Sequence, residues 1–274
     1  MTPALPAAPL TDAAGVDHEP ASADVRIVSL VPSITELLFD LDLGGRVVGR
    51  TAFCVHPEGL VERARTVGGT KTVKLDRIRD LNPTHVIVNI DETPKDVADG
   101  IAATGCAVVV THPLEPRDNI QLYRLMGGLF GRARQAEALC ARFEDALATL
   151  LGSAEGLRER SVLYLIWKKP WMTVSRDTYI ARTLSLVGWR TVGHDADVRY
   201  PTVDITEGLL EKTDVVLFSS EPFPFKESHL EEFAAAYPCP DVRLAAIDAQ
   251  MVSWYGSRAI AGLRYLKDFA AGIG

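Results

Sequence analysis

Cysteine is scarce and scattered. The 274-residue chain has four, at Cys54, Cys106, Cys140 and Cys239, with no Cys-x-x-Cys pair, so neither a zinc ribbon nor a dithiol redox motif is available. Cys106 falls in an apolar run and Cys140 on a helix face, where cysteine serves as a small core residue, and all four are expected to be reduced thiols. Positive charge is in deficit as well: 29 Lys and Arg stand against 36 Asp and Glu, a net charge of −7. There is no basic footprint for nucleic acid. No apolar run approaches the roughly 20 residues of a membrane-spanning helix. No Lys or Arg precedes Arg26, so the start shows neither the basic opening nor the continuous apolar core of a secretory signal. Residues 1–23, rich in Ala and Pro, are expected to be a disordered lead-in. The location expected on these grounds is cytoplasmic, or periplasmic if the start is misassigned or export takes another route. Enzyme signatures are missing too: there is no Gly-x-Gly-x-x-Gly, Walker loop, His-Glu-x-x-His or Gly-x-Ser-x-Gly.

One stretch, by contrast, is unusually continuous. From residue 132 to 151 there is no Gly or Pro, and Ala136, Leu139, Cys140, Phe143, Leu147, Leu150 and Leu151 recur at helical spacing. A helix over 132–153 would be about 30 Å long. Its flanks resemble each other. RVVG at 46–49 matches RTVG at 190–193, and THVIVNIDE at 84–92 matches TDVVLFSSE at 213–221. Each matched pair keeps its order in its own half, and a buried strand opens each half, RIVSLV at 26–31 and SVLYLIW at 161–167. Looking for repeats first therefore predicts an α/β fold: two Rossmann-like lobes with mostly parallel sheets, bridged by one long α-helix. The predicted domains are 24–131, the bridging helix 132–153, and 154–274. Residues 51–73 read as a long irregular loop, and Ser33 as an N-cap with Glu36 completing a capping box.

In parallel α/β sheets, binding groups collect at the carboxyl ends of the strands. In the first lobe these ends carry Pro32, Ser33, Phe53, Lys71, Asn89, Asp91, Glu92 and His112. In the second they carry Trp167, Lys168, Trp171, Tyr200, Ser220, Glu221, Phe225, Trp254, Tyr255 and Arg258. Three of the four tryptophans fall in the second group, which reads as an aromatic recognition wall. Trp189, which follows a helix-ending glycine, reads as packing. Cys54, His56 and His112 lack paired ligand spacing and are not taken as a metal site. GGTK at 68–71 ends like a phosphate loop but has neither the leading glycine nor the preceding strand. Asp91, Glu92 and Glu221 could serve an enzyme, but carboxylates at these places also suit solvated edges and helix N-termini.

The run SLVPSITELLFDLDLGGRVVGRT, followed by GGTKTVKLDRIRDLNPTHVIV, resembles the helical-backbone substrate-binding proteins of ABC importers, which take up cobalamin, haem and ferric siderophores. YLIWKKPWMTV, SSEPFPFK and SWYGSR look closest to a cobalamin-binding-like branch. The resemblance implies a ligand cleft between the lobes, no catalysis and no covalently bound cofactor. The function it implies is binding of a large metal chelate, most simply a corrinoid, with an ABC permease as partner and a monomeric chain. The alternatives are a cytoplasmic metal-cofactor chaperone or accessory protein, and a haem or ferric-siderophore binder. A corrin face is broad and partly apolar with peripheral amides, which suits tryptophan, Ser and Asn. A ferric catecholate is strongly anionic and would call for clustered Arg, for which only Lys71, Lys168, Lys169 and Arg258 are candidates. Haem would need an axial ligand, for which Tyr255 and His112 are the nominees.

Overall fold

Apolar runs of three to six residues without internal charge can be buried on both faces, the condition for parallel strands covered by helices. In the computed structural model, which describes residues 10–70, 72–195 and 197–273, those runs become two parallel sheets. The chain divides into two compact units. Within the first unit the order is β1 (Ile27–Ser29), α1 (Pro32–Asp40), β2 (Val47–Arg50), β3 (Arg65–Thr66), α2 (Leu75–Asp80), β4 (His85–Asn89), α3 (Lys95–Ala102), β5 (Ala107–Thr111) and α4 (Asp118–Leu129). Then α5 (Ala133–Ala154) leads into β6 (Arg160–Leu165), α6 (Tyr179–Ser185), β7 (Trp189–Thr191), α7 (Glu207–Leu210), β8 (Val215–Ser219), α8 (Glu227–Ala236), β9 (Arg243–Ile247), α9 (Ala249–Ser253) and α10 (Arg258–Ile273). No described helix is long and apolar enough to cross a membrane.

The internal repeat is visible in the sheet order. The first sheet runs β3-β2-β1-β4-β5 and the second β7-β6-β8-β9, so once the short edge strand β3 is set aside each half places its opening strand between the next two. All ladders are parallel, with Val28 opposite Val86 in the first sheet and Val162 opposite Val215 in the second. The first core gathers Val28, Leu30, Ile78, Val86, Val88 and Ile101. The second gathers Leu163, Leu165, Val216, Phe218, Phe225 and Phe233. Trp189 is 1% exposed and meets the Phe269 ring edge-on, so it is packing.

Three local expectations are corrected. Residues 51–73 are not one irregular loop, because β3 interrupts them and pairs with β2. Helix α1 starts at Pro32, whose fixed φ and missing N–H suit a first helical position. Val31 therefore takes the cap position without a side-chain bond, and Ser33 is buried in the first turn instead of capping it. Between β9 and Trp254 the chain forms α9, which Asp248 caps by accepting from the Gln250 amide at 3.0 Å. Finally, the disordered lead-in does not hold for residues 10–23, while residues 1–9 lie outside the described ones. The Ala13 amide donates to the Val110 carbonyl at 2.9 Å and the Ala21 amide to the Leu129 carbonyl at 2.8 Å. The Asp12 carboxylate accepts from the Val110 amide at 2.9 Å. Burial pushes that carboxyl up, but bonds from the Val110, Val16 and Ala14 amides and from His18 outweigh burial and hold it below the usual range.

The chain passes from the first unit to the second within α5, between Phe143 and Glu144. Leu114–Pro116 belongs with the second unit, and Tyr255–Arg258 belongs with the first.

Glycine packing in the second unit yields a paired expectation. A Cβ on Gly262 of α10 would lie 2.1 Å from the Met251 carbonyl oxygen, whereas one on Gly152 of α5 would meet nothing within 4 Å. Gly262→Ala should cost about 1–3 kcal/mol through forced displacement of backbone. Gly152→Ala should be neutral or raise stability by up to about 1 kcal/mol through helix propensity. Urea midpoints of the two variants, compared at equal slope, check this; equal midpoints would contradict the α9–α10 contact.

Candidate functional site

In the first unit, the strand-end residues are organised around the segment Tyr255–Arg258 that returns to it from the C-terminal half. Gly256 has φ +77, and a Cβ there would lie 3.0 Å from the Ser33 carbonyl oxygen. Only glycine accepts both the backbone conformation and the approach without strain. Its amide donates to Asn119 Oδ1 at 2.7 Å and its carbonyl accepts from the Tyr123 hydroxyl at 2.9 Å, which ties the segment to α4. On one side of it the buried Tyr255 hydroxyl donates to Glu92 Oε1 at 2.9 Å. On the other, Arg258 Nε and Nη2 donate to the two carboxylate oxygens of Glu36 at 2.7 and 2.6 Å. The Arg258 and Glu36 side chains are only 13% and 16% exposed.

This arrangement reassigns several residues. Tyr255 and Arg258, expected in the second lobe's wall, are clamps of the first unit. Glu36 is the counter-ion of Arg258 and not part of a capping box. Burial, followed by the neighbouring Glu92 carboxylate, pushes the Tyr255 phenol well above its ordinary value, so at neutral pH it is a hydrogen-bond donor and not a phenolate. Asn89 is buried and its Oδ1 accepts from the Asp91 amide at 2.8 Å, fixing the turn after β4. Asp91 Oδ1 stands 3.4 Å from His112 Nε2. Pro32 is half-buried at the start of α1, whereas Phe53 is 61% exposed. Lys71 lies outside the described residues. Cys54 is buried against the Thr35 and Thr51 hydroxyls, and burial raises its thiol. Among the described residues, no three His, Cys, Asp or Glu side chains gather as a metal site.

In the second unit the aromatic residues divide into two kinds. Trp171 stacks on Phe225 with ring centres 6.1 Å apart, meets Phe233 edge-on, and donates Nε1 to the Tyr237 hydroxyl at 3.3 Å. Phe225 is 9% exposed, as is Trp254, whose indole N–H donates to Glu221 Oε1 at 2.7 Å. Phe225 and Trp254 are therefore buried by packing within the second unit and not part of an open aromatic wall, whereas Trp171 is half-buried and lines a pocket with Lys168, Lys169 and Tyr237. Ser220 Oγ accepts from the Ala249 amide at 2.9 Å and so supports the start of α9. Lys168 is paired with Glu232, and that bond holds the Glu232 carboxyl below its usual range. Trp167 and Tyr200 remain open, 40% and 37% exposed; the Trp167 ring stands edge-on to Phe223 at 5.6 Å. The chain past β6 thus leaves Trp167 facing solvent, while the next tryptophan, Trp171, is half-buried against the edge of the core.

Residues 27–234 match the family described as periplasmic binding protein. The chain belongs to that family. Within it, the chain is 22% identical over 202 residues to the vitamin B12-binding protein of Photorhabdus laumondii, covering 74% of this chain and 73% of that protein. It is 24% identical over 200 residues to the vitamin B12-binding protein of Yersinia pestis, covering 73% and 71%. Among solved structures of periplasmic binding proteins, the periplasmic vitamin B12 binding protein of Vibrio cholerae superposes with a TM-score of 0.79 at 18% identity, over 90% of this chain and 97% of that one. The periplasmic heme-binding protein of Roseiflexus sp. RS-1 superposes at 0.77 and 22% identity, over 92% and 98%. The fold is therefore that of a two-lobed periplasmic binding protein, a family of binding proteins and not of enzymes. The expected cytoplasmic location is overturned by this membership, since the family and its solved relatives are periplasmic.

The Glu36–Arg258 pair is the sharpest test of the first unit's geometry. Removing one partner of a mostly buried pair strands the other charge and costs about 3–5 kcal/mol. Arg258→Ala should show a loss of that order in urea unfolding, and Arg258→Leu combined with Glu36→Leu should recover most of it. A loss below about 1 kcal/mol for the single variant would contradict the pairing.

Proposed function

We propose that this chain is a non-catalytic periplasmic binding protein for a large, electrically neutral metal chelate, a corrinoid of the cobalamin type, which it presents to an ABC-type permease. The observation that carries the reading is the contrast between committed charge and open aromatic surface. Arg258 is engaged by Glu36 and Lys168 by Glu232, while Phe53 in one unit and Trp167 and Tyr200 in the other are exposed. Large aromatic faces suit a broad, partly apolar macrocycle edged with amides. A multiply charged ferric catecholate would draw on unengaged cations, and two of the four candidates are in ion pairs. Haem ligation through Tyr255 would require breaking its bond to Glu92 and ionising a phenol whose pKa is raised by burial.

The relatives named for vitamin B12 support the corrinoid, and those named for heme supply the competitor. Asn89, Asp91, Glu92, Ser220 and Glu221 shape the strand ends from which the aromatic residues project. Pro32 and Ser33 do the same at the start of α1, and the chain works as a monomer.

Titrating the purified protein with cyanocobalamin, with hemin and with a ferric tris-catecholate, followed by tryptophan fluorescence and visible absorbance, tests the proposal. Saturable quenching with cyanocobalamin is expected, weakened about thirtyfold by Trp167→Ala, the cost of about 2 kcal/mol that an anchoring aromatic carries. A shifted Soret band with hemin, and no response to cyanocobalamin, would overturn the corrinoid reading.

A further inference from the structure

Strand β5 is the last strand of its sheet, and the residues before β1 bear on its outer edge. The Ala107 amide donates to the Thr84 carbonyl, and the Thr111 carbonyl accepts from the Ile90 amide. Both bonds lie on the β4 side. Alternation along the strand therefore turns the backbone groups of Val108 and Val110 outward. The strand reads Ala-Val-Val-Val-Thr, with no charge and no proline. An uncharged, β-branched edge of this kind is a template for pairing with another strand unless something covers it.

Residues 10–18 cover its Val110 end. They form a small closed hairpin of their own: His18 N donates to Leu10 O, Asp12 N to Val16 O, and Thr11 bridges Asp17. Its contact with β5 imitates one rung of a ladder. The Ala13 amide supplies the donor for Val110 O, and a buried side-chain carboxylate, that of Asp12, replaces the carbonyl that a neighbouring strand would offer to Val110 N. The same carboxylate accepts from the Ala14 and Val16 amides and lies 3.0 Å from His18 Nε2. Docking is thus concentrated on a few polar contacts, with Leu10 seated against Gly128. An open groove of about 570 Å³ lies among Thr11–Ala13, the end of β5 and α4. A segment near the start of the chain that docks through few backbone bonds can open below the free energy of global unfolding.

We propose that the hairpin of residues 10–18 is a displaceable guard on the edge of β5, and that releasing it lets β5 pair with the β5 of a second copy of this chain about a two-fold axis. The partner is a second copy because the uncovered edge is self-complementary: one short uncharged strand paired antiparallel with itself satisfies both sets of outward groups and closes at a dimer.

The experiment uses the full chain. Wild type, Asp12→Ala and Ala13→Pro, the last lacking the amide that bonds Val110 O, are compared by light scattering over a hundredfold concentration range and by hydrogen exchange of the peptide covering β5. Both variants should exchange at Val110 at least tenfold faster when dilute. Both should move toward twice the monomer mass when concentrated, and an added peptide of residues 9–23 should reverse the association. Faster exchange with unchanged mass at every concentration would overturn the proposal, as would association that the peptide leaves unaffected. Unchanged exchange in both variants would show that these contacts do not hold the hairpin, and would overturn it as well. Thermal unfolding of each variant separates release of the hairpin from loss of the fold: a midpoint near that of wild type is expected for both.

Discussion

The paired charge of Arg258 and Glu36 is the constraint on which the candidate site depends. A guanidinium that is only 13% exposed cannot be left without a counter-ion, because an unpaired ion in low dielectric costs several kcal/mol. The fork to Glu36 meets that requirement and in doing so binds α1 to the start of α10. The rest of the segment follows the same rule. Gly256 gives its amide to Asn119 and takes a proton donor from Tyr123, and Tyr255 gives its hydroxyl to Glu92. Three residues from the C-terminal half, Tyr255, Gly256 and Arg258, thereby satisfy polar groups of the first unit. Adjacent to them, Trp254 does the equivalent in the second by donating to Glu221.

These commitments bear on what the strand ends can offer a ligand. Glu36, Glu92, Glu221, Glu232, Lys168 and Arg258 are each engaged within their own unit. What faces solvent at the strand ends includes the aromatic surface of Phe53, Trp167 and Tyr200. In the proposed reading, recognition rests on dispersion and desolvation of a flat face, with hydrogen bonds to peripheral amides adding orientation. The charged side chains act indirectly, by holding the loops that carry the aromatics.

The fold was legible because it is written locally. Matching runs such as RVVG and RTVG, or THVIVNIDE and TDVVLFSSE, carry the repeat, and it reappears as matching strand orders in the two sheets. The glycine- and proline-free run after Arg132 became α5. The site was less legible, because a residue's role there depends on partners distant in sequence. Trp167 and Trp171 share one motif and a similar local composition. Yet one is open and the other is half-buried, held by Phe225, Phe233 and Tyr237, which lie more than fifty positions away. Nothing near Arg258 in sequence points to Glu36, 222 positions earlier. The N-terminal hairpin was hidden differently: its Ala- and Pro-rich composition reads as disorder, and the buried role of Asp12 arises only when β5 supplies an amide. Location was misread from the chain's first residues, and family membership corrects it.

The central claim is that recognition is carried by open aromatic surface while charge is spent on holding the loops. The most direct measurement is the salt dependence of affinity for cyanocobalamin, titrated by fluorescence from 20 mM to 500 mM sodium chloride. Contacts between a neutral macrocycle and aromatic rings are insensitive to screening, whereas attraction between exposed charges falls as the Debye length shrinks from roughly 20 Å to about 4 Å. The account predicts a Kd that changes less than about twofold across that range. A tenfold or greater weakening would contradict it and return the charged residues to the centre of recognition.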